Sequence, residues 1–306
     1  MPQTTLMLLI LILTLAGCTT PSSSPTPTTD RQATMARART DQQVHALAQP
    51  TRRTVSLPDV QLSILEGGSG DPVIYVHGVV TTSNIFPRYV AAYSPAYRGI
   101  AVDLRGYGDS EKTPAGSNID QFVSDLIALA DQLNIRKPVW VGVSMGGMIL
   151  QRLALTHPDR VRALVLVSTT DGAMILDKDL PTIGAPRDYR EVSRNIIAES
   201  FPAGTNPRLY EPLLDRIPTW NGDVLREALT SMSRFNVHGQ LTAINAPTLI
   251  MVGAKDGVAT PAIAKGIQSQ IAGSQVVEFD TGHFMMAENP EQFQSVLGAF
   301  LSSLPR

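Results

Sequence analysis

Six short apolar runs, most of them separated by helical patterns, constrain this chain more than any other feature. They are "VIYVHG" (73–78), "GIAVDLRG" (99–106), "PVWVGV" (138–143), "VRALVLVST" (161–169), "APTLIMVG" (246–253) and "SQVVEFD" (274–280). A strand that is apolar at almost every position has both faces buried, the condition of a parallel sheet covered by helices. Four intervening or following segments read as helices. In the first, 119–135, Phe122, Leu126, Leu129 and Leu133 form a stripe on one face. The others are "GGMILQRLALTHP", "PAIAKGIQSQIAG" and "NPEQFQSVLGAFLSSL". Ahead of them all, "RTVSLPDVQLSILEGG" alternates apolar and polar residues and predicts two opening strands with a turn at Pro58-Asp59. The expectation is an α/β class: a mostly parallel, doubly wound sheet.

One stretch breaks this rhythm. Residues 172–235 carry prolines at 181, 186, 202, 207, 212 and 218 and helical patches at "DYREVSRNIIAES" and "GDVLREALTSMSRF". They predict a helical insertion after the sixth core strand, leaving 51–171 and 236–306 as the core. The N-terminal fifty residues differ again. "LMLLILILTLA" (6–16) is too short to span a bilayer as a helix, which needs about 20 apolar residues, and suits the h-region of a secretory signal over 1–17. "LAGC" resembles the lipobox of bacterial lipoproteins, which implies lipidation of Cys18, the one cysteine of the chain. "MPQTT" departs from that pattern in having no Lys or Arg, so an uncleaved or differently cleaved signal stays open. Thr19 follows the cysteine, which by the same resemblance implies the outer membrane, facing the periplasm of a bacterial envelope. "TTPSSSPTPTT" opens a tether over 18–50 that cannot bury apolar surface.

With 25 Lys+Arg against 27 Asp+Glu, the chain offers no electrostatic case for nucleic acid. Its five histidines fall in no zinc-ligand spacing, so no zinc site is expected.

The chemistry lies in "VWVGVSMGGMIL". A bare G-x-S-x-G is a weak signal, but Ser144 directly follows an apolar strand and directly precedes a helix. That context is a nucleophile elbow, which lifts the hydroxyl above the sheet. Gly142, Gly146 and Gly147 allow the tight turn. A serine needs a base, and "VVEFDTGHF" supplies His283 after the last strand. The base needs an acid to orient it. Asp256, after "LIMVG", stands one helix and one strand before His283. Asp171 is a rival acid after the previous strand, whereas Asp280 more simply ends its own. Backbone N–H groups of Met145 and Val79 are candidates for an oxyanion hole. His77 reads as a loop-internal hydrogen-bonding residue.

Across about 55–304 these features resemble the α/β-hydrolase superfamily. They are "HG" at 77–78, "DLRGYGDS" at 103–110, "GVSMGG" at 142–147, "GAKD" ending at Asp256 and "GH" at 282–283. The resemblance implies the α/β-hydrolase fold with 172–235 as a cap, and the triad order Ser144, Asp256, His283. It implies a serine hydrolase that cleaves a small-molecule carboxylic ester or lactone through an acyl-enzyme, with no metal or organic cofactor and of undetermined oligomeric state. Val79, Val80, Met145, Phe284 and Met285 are expected near the mouth and suggest an apolar acyl or alcohol part, with core packing the commoner role for any one of them. C–C bond hydrolases of aromatic-ring cleavage are the alternative, although their usual Asn before the nucleophile is here Val143. Cofactor-free haloperoxidases usually carry an aromatic at the place of Val79, and haloalkane dehalogenases and epoxide hydrolases an Asp at that of Ser144. A catalytically inactive, surface-anchored binding protein of the same fold is a further alternative.

Overall fold

A computed structural model describes residues 49–113, 115–173, 189–214 and 222–305. The expected signal, Cys18 and almost all of the tether lie outside them, as do 174–188 and 215–221 of the expected insertion.

Strands β1 (Thr51–Ser56) and β2 (Gln61–Gly68) form a hairpin in the register Thr54↔Ser63, closed where Leu57 N–H meets Val60 O at 2.9 Å. The turn falls at Pro58-Asp59. Next come β3 (Asp71–Val76), helix α1 (Pro87–Ala92), β4 (Tyr97–Val102), α2 (Ile119–Gln132) and β5 (Val139–Val143). Helix α3 (Met145–Thr156) and β6 (Ala163–Val167) follow. Among the described residues, three further α-helices stand between β6 and β7: α4 (Tyr189–Glu199), α5 (Glu211–Leu214) and α6 (Gly222–Ser233). The chain closes with β7 (Thr248–Gly253), α7 (Pro261–Gln270), β8 (Gln275–Phe279), α8 (Met285–Glu288) and α9 (Pro290–Ser303).

The eight strands make one sheet in the order β1-β2-β4-β3-β5-β6-β7-β8. β1 and β2 pair antiparallel, as do β2 and β4, and every later pairing is parallel. Composition follows position: the central β5, β6 and β7 are buried at every residue, as helix-covered parallel strands must be. Strand β3 lies between β4 and β5, so the chain leaves it in opposite directions along the sheet. In such sheets a crevice opens beyond the carboxyl ends of the strands at that reversal. The inserted helices are tied back to the core: Glu227 of α6 accepts from Asn118 Nδ2 at 3.0 Å, and Ser231 Oγ from Ile119 N–H at 3.0 Å.

"DLRGYGDS" is a wiring point of the core. Asp103 accepts from Ser83 N–H at 2.7 Å, Asp109 N–H at 3.0 Å and Arg52 at 2.8 Å, joining β4, β1 and the turn after β3. Arg105 makes a two-pronged pair with Asp125 of α2, at 2.8 and 2.7 Å.

Candidate active site

Ser144 sits between β5 and α3 with φ 54° and ψ −116°, a left-handed backbone that a side chain adopts only under strain. Its N–H donates to Val167 O at 2.8 Å, and its carbonyl accepts from Thr169 Oγ1 at 2.8 Å and Gly147 N–H at 2.9 Å. These bonds hold the residue where local preference would not. Two glycines make the turn possible by close approach. A Cβ on Gly142 would meet the Gly146 carbonyl at 2.5 Å, and one on Gly146 would collide with the carbonyl of Val76.

The loops after β7 and β8 lie side by side, as Ala254 N–H bonds Phe279 O at 2.7 Å and Lys255 N–H bonds Thr281 O at 2.9 Å. That pairing brings Asp256 Oδ2 to 2.7 Å from His283 Nδ1. The carboxylate is fully buried and the imidazole is 6% exposed. Asp256 Oδ1 accepts from Val258 N–H at 2.8 Å and Ala259 N–H at 2.9 Å. Burial opposes its charge, but the His283 hydrogen bond and charge, with those two N–H groups, outweigh burial and hold the carboxyl below the usual aspartate range. A carboxylate only accepts, so Nδ1 carries the proton and donates it. The Nε2 lone pair of a neutral His283 is thereby left to act as a base.

The rival acids go elsewhere. Asp171 binds His238 Nδ1 at 2.8 Å and Gln270 Nε2 at 2.7 Å, and Asp280 pairs with Lys255 at 2.8 Å. His77 sits in its loop, with Nδ1 donating to Gly78 O at 2.8 Å and Nε2 accepting from Leu104 N–H at 3.1 Å. Burial pushes its pKa down, against the pull of Asp103, so it stays a neutral structural group.

Ser144 and His283 line one cavity of about 200 Å3, together with Val79, Val80, Ile196 and Phe284. Val79 follows β3 and Ser144 follows β5, so both face the crevice. The N–H groups of Val79 and Met145 donate no hydrogen bond among the described residues. Of the five apolar residues expected near the mouth, Val79, Val80 and Phe284 line the cavity, whereas the Met145 and Met285 side chains are fully buried in the core. With its side chain in the core, Met145 has its amide to offer to the cavity.

Three elements of the site had no signature in the sequence. Ser200, just past α4, accepts from His283 N–H at 2.9 Å. Phe201 stacks on Phe284, with ring centroids 5.4 Å apart and 22° between planes. Glu288 accepts the Gly282 N–H on both carboxylate oxygens, each at 3.0 Å. The first two come from the insertion, whose approach to the His283 loop is a tertiary fact. Glu288 lies six residues from Gly282 in an acidic "MMAEN" that looks like ordinary helix surface.

Residues 71–195 match a family model described as alpha/beta hydrolase fold. Among known proteins, 3-oxoadipate enol-lactonase 2 of Acinetobacter baylyi is 26% identical over 262 residues, 81% of this chain and 96% of that protein. The 2-hydroxymuconate semialdehyde hydrolase of a Pseudomonas species is 25% identical over 270 residues, 82% and 93% of the two chains. The solved esterase of Exiguobacterium antarcticum superposes with a TM-score of 0.76 at 23% identity, over 83% of this chain and all of that one. That likeness speaks to the fold.

Proposed function

We propose that this chain, whose residues 71–195 match the alpha/beta hydrolase fold model and which is similar to an enol-lactonase over most of its length, is a serine hydrolase of that superfamily cleaving a carboxylic ester or lactone. Ser144 Oγ attacks the substrate carbonyl while His283 Nε2 takes its proton. Asp256 holds the imidazole in the tautomer this requires and stabilises its charged form. The oxyanion sits between the Val79 and Met145 N–H groups, and a donor of this kind is worth about 3–4 kcal/mol of transition-state stabilisation. His283 returns the proton to the leaving alcohol, giving an acyl-enzyme on Ser144. Water, deprotonated by the same imidazole, releases the acid. The described helices of the insertion, α4 and α6, serve as a cap whose Ile196, Glu199, Ser200 and Met232 line this cavity.

The observation that carries the reading is the 2.7 Å Asp256–His283 bond at the wall of a cavity shared with the strained Ser144. Its test is a fluorophosphonate probe on the folded protein. A single adduct on Ser144, and loss of p-nitrophenyl butyrate turnover in Ser144→Ala, are expected. An unlabelled Ser144, or turnover surviving the substitution, overturns it.

The likeness to the semialdehyde hydrolase favours a second reading, hydrolysis of a C–C bond on the same triad. Val143 before the nucleophile counts against it. A vinylogous diketone assayed beside esters and lactones separates the two.

We also propose that Cys18 carries a lipid anchor holding the enzyme to the bacterial envelope, at the outer membrane and facing the periplasm. "LAGC" followed by a Pro/Ser/Thr-rich tether supports this. Cys18→Ser should move the protein from the membrane pellet to the soluble periplasmic extract, and a protein that stays soluble in both forms rejects the anchor.

A further inference from the structure

Glu199 introduces a charge that the proposed reaction does not use. It is the last residue of α4, is exposed, and lines the same cavity as Ser144 and His283. Most of the wall around it is apolar, formed by Val79, Val80, Ile196, Met232, Val258 and Phe284. No Lys or Arg is among the described lining residues, and Glu199 is the one acidic side chain there. The nearby acids are already engaged: Asp256 with His283, Glu288 with Gly282, and Asp280 with Lys255. Glu199 itself has no ion pair or hydrogen bond among the described residues.

Its place in the helix sharpens the point. The C-terminus of a helix carries the negative end of the macrodipole and favours a cation there, so a glutamate as last residue breaks a local rule. Nothing in the secondary structure asks for it, and among the described residues no cation pairs with it. Carboxylate and helix end add their negative potential over the mouth of a largely apolar site. There a substrate charge is less screened than in open water.

We propose that Glu199 is a specificity-determining residue, selecting esters or lactones whose distal part is cationic, such as an ammonium group, over those carrying a carboxylate. The inference rests on the serine-hydrolase reading and names the substrate class of that same site. An ammonium at the mouth is attracted by Glu199 while its apolar stem lies along Ile196 and Val258. A carboxylate there meets like charge with no described cation to receive it.

The test uses three p-nitrophenyl esters of similar size: neutral butyrate, anionic hydrogen glutarate and cationic γ-trimethylammoniobutyrate. In the wild-type enzyme kcat/KM should favour the cationic over the anionic ester, and raising the salt concentration should compress that ratio. Glu199→Gln should lower the ratio about tenfold, as expected for one partly exposed charge acting on substrates of opposite sign. Glu199→Lys should invert it. An anionic preference in the wild type, or a ratio that neither variant moves by more than about twofold, overturns the proposal. Absence of Ser144-dependent turnover of the neutral ester overturns the hydrolase reading and the proposal with it. Ser144-dependent turnover with the wrong charge order overturns the proposal alone.

Discussion

At the scale of single residues, the strained backbone of Ser144 separates what a side chain does for folding from what it does for chemistry. Its φ of 54° costs a non-glycine residue about 1–3 kcal/mol, and the bonds from Thr169, Gly147 and to Val167 hold it there. Ser144→Gly should therefore be more stable in urea than Ser144→Ala by about 1 kcal/mol, with both variants inactive. Equal midpoints would mean the elbow is unstrained. Asp256→Asn should lower kcat for p-nitrophenyl butyrate by about 10³–10⁴-fold, because the amide allows the wrong His283 tautomer. Asp171→Asn, whose partners are His238 and Gln270, should leave kcat within a few-fold; the reverse order would move the acid to Asp171. Because the native Asp256 carboxyl lies below its unfolded value, its stabilising effect is present above about pH 4 and is lost as pH falls through the depressed value. The stability gap between wild type and Asp256→Asn should accordingly narrow on acidification in urea titrations, not on alkalinisation.

At the scale of elements, the His283 loop is held from three sides. Its N–H binds the Ser200 carbonyl past α4, Phe284 stacks on Phe201, and Glu288 of α8 clasps Gly282. Glu288→Ala should free that loop and reduce kcat about tenfold with KM little changed, as small misplacements of a catalytic base do. Glu288→Gln keeps an acceptor and should recover part of the loss; a KM effect alone would point to substrate contact instead. The helices themselves were legible. A stripe over 119–135 becomes α2, Ile119–Gln132, ending early because Asn134 takes φ 55°. "DYREVSRNIIAES" becomes α4 and "GDVLREALTSMSRF" becomes α6. Local periodicity carries such elements, but it says nothing of which loop α4 will touch.

At the scale of the molecule, the sheet order assembles the site from distant segments, and buried charge helps lock it. Arg105 and Asp125 are 6% and 3% exposed and joined by two hydrogen bonds, tying the loop after β4 to α2. Asp125→Ala strips a buried guanidinium of its two-pronged partner, leaving it only the largely exposed Asp59 at 2.9 Å, and should destabilise the fold by about 3 kcal/mol in urea unfolding, and a loss under 1 kcal/mol would show the pair to be dispensable. Asp125 lies inside the apolar face of α2, where periodicity alone predicts a hydrophobic residue. The amino-acid sequence by itself determined the class of every core strand, since only helix-covered parallel strands tolerate runs such as Val139–Val143 and Ala163–Val167. It also determined the strand–serine–helix junction, because the glycines around Ser144 and the patterns flanking it are local. Only the tertiary structure decided that Asp256 and not Asp171 touches His283, that Ser200 and Phe201 hold the His283 loop, and that Glu199 faces the cavity. Those facts depend on which strand ends become neighbours and on where the inserted helices rest. Such contacts join residues far apart in the chain, and no local pattern encodes them.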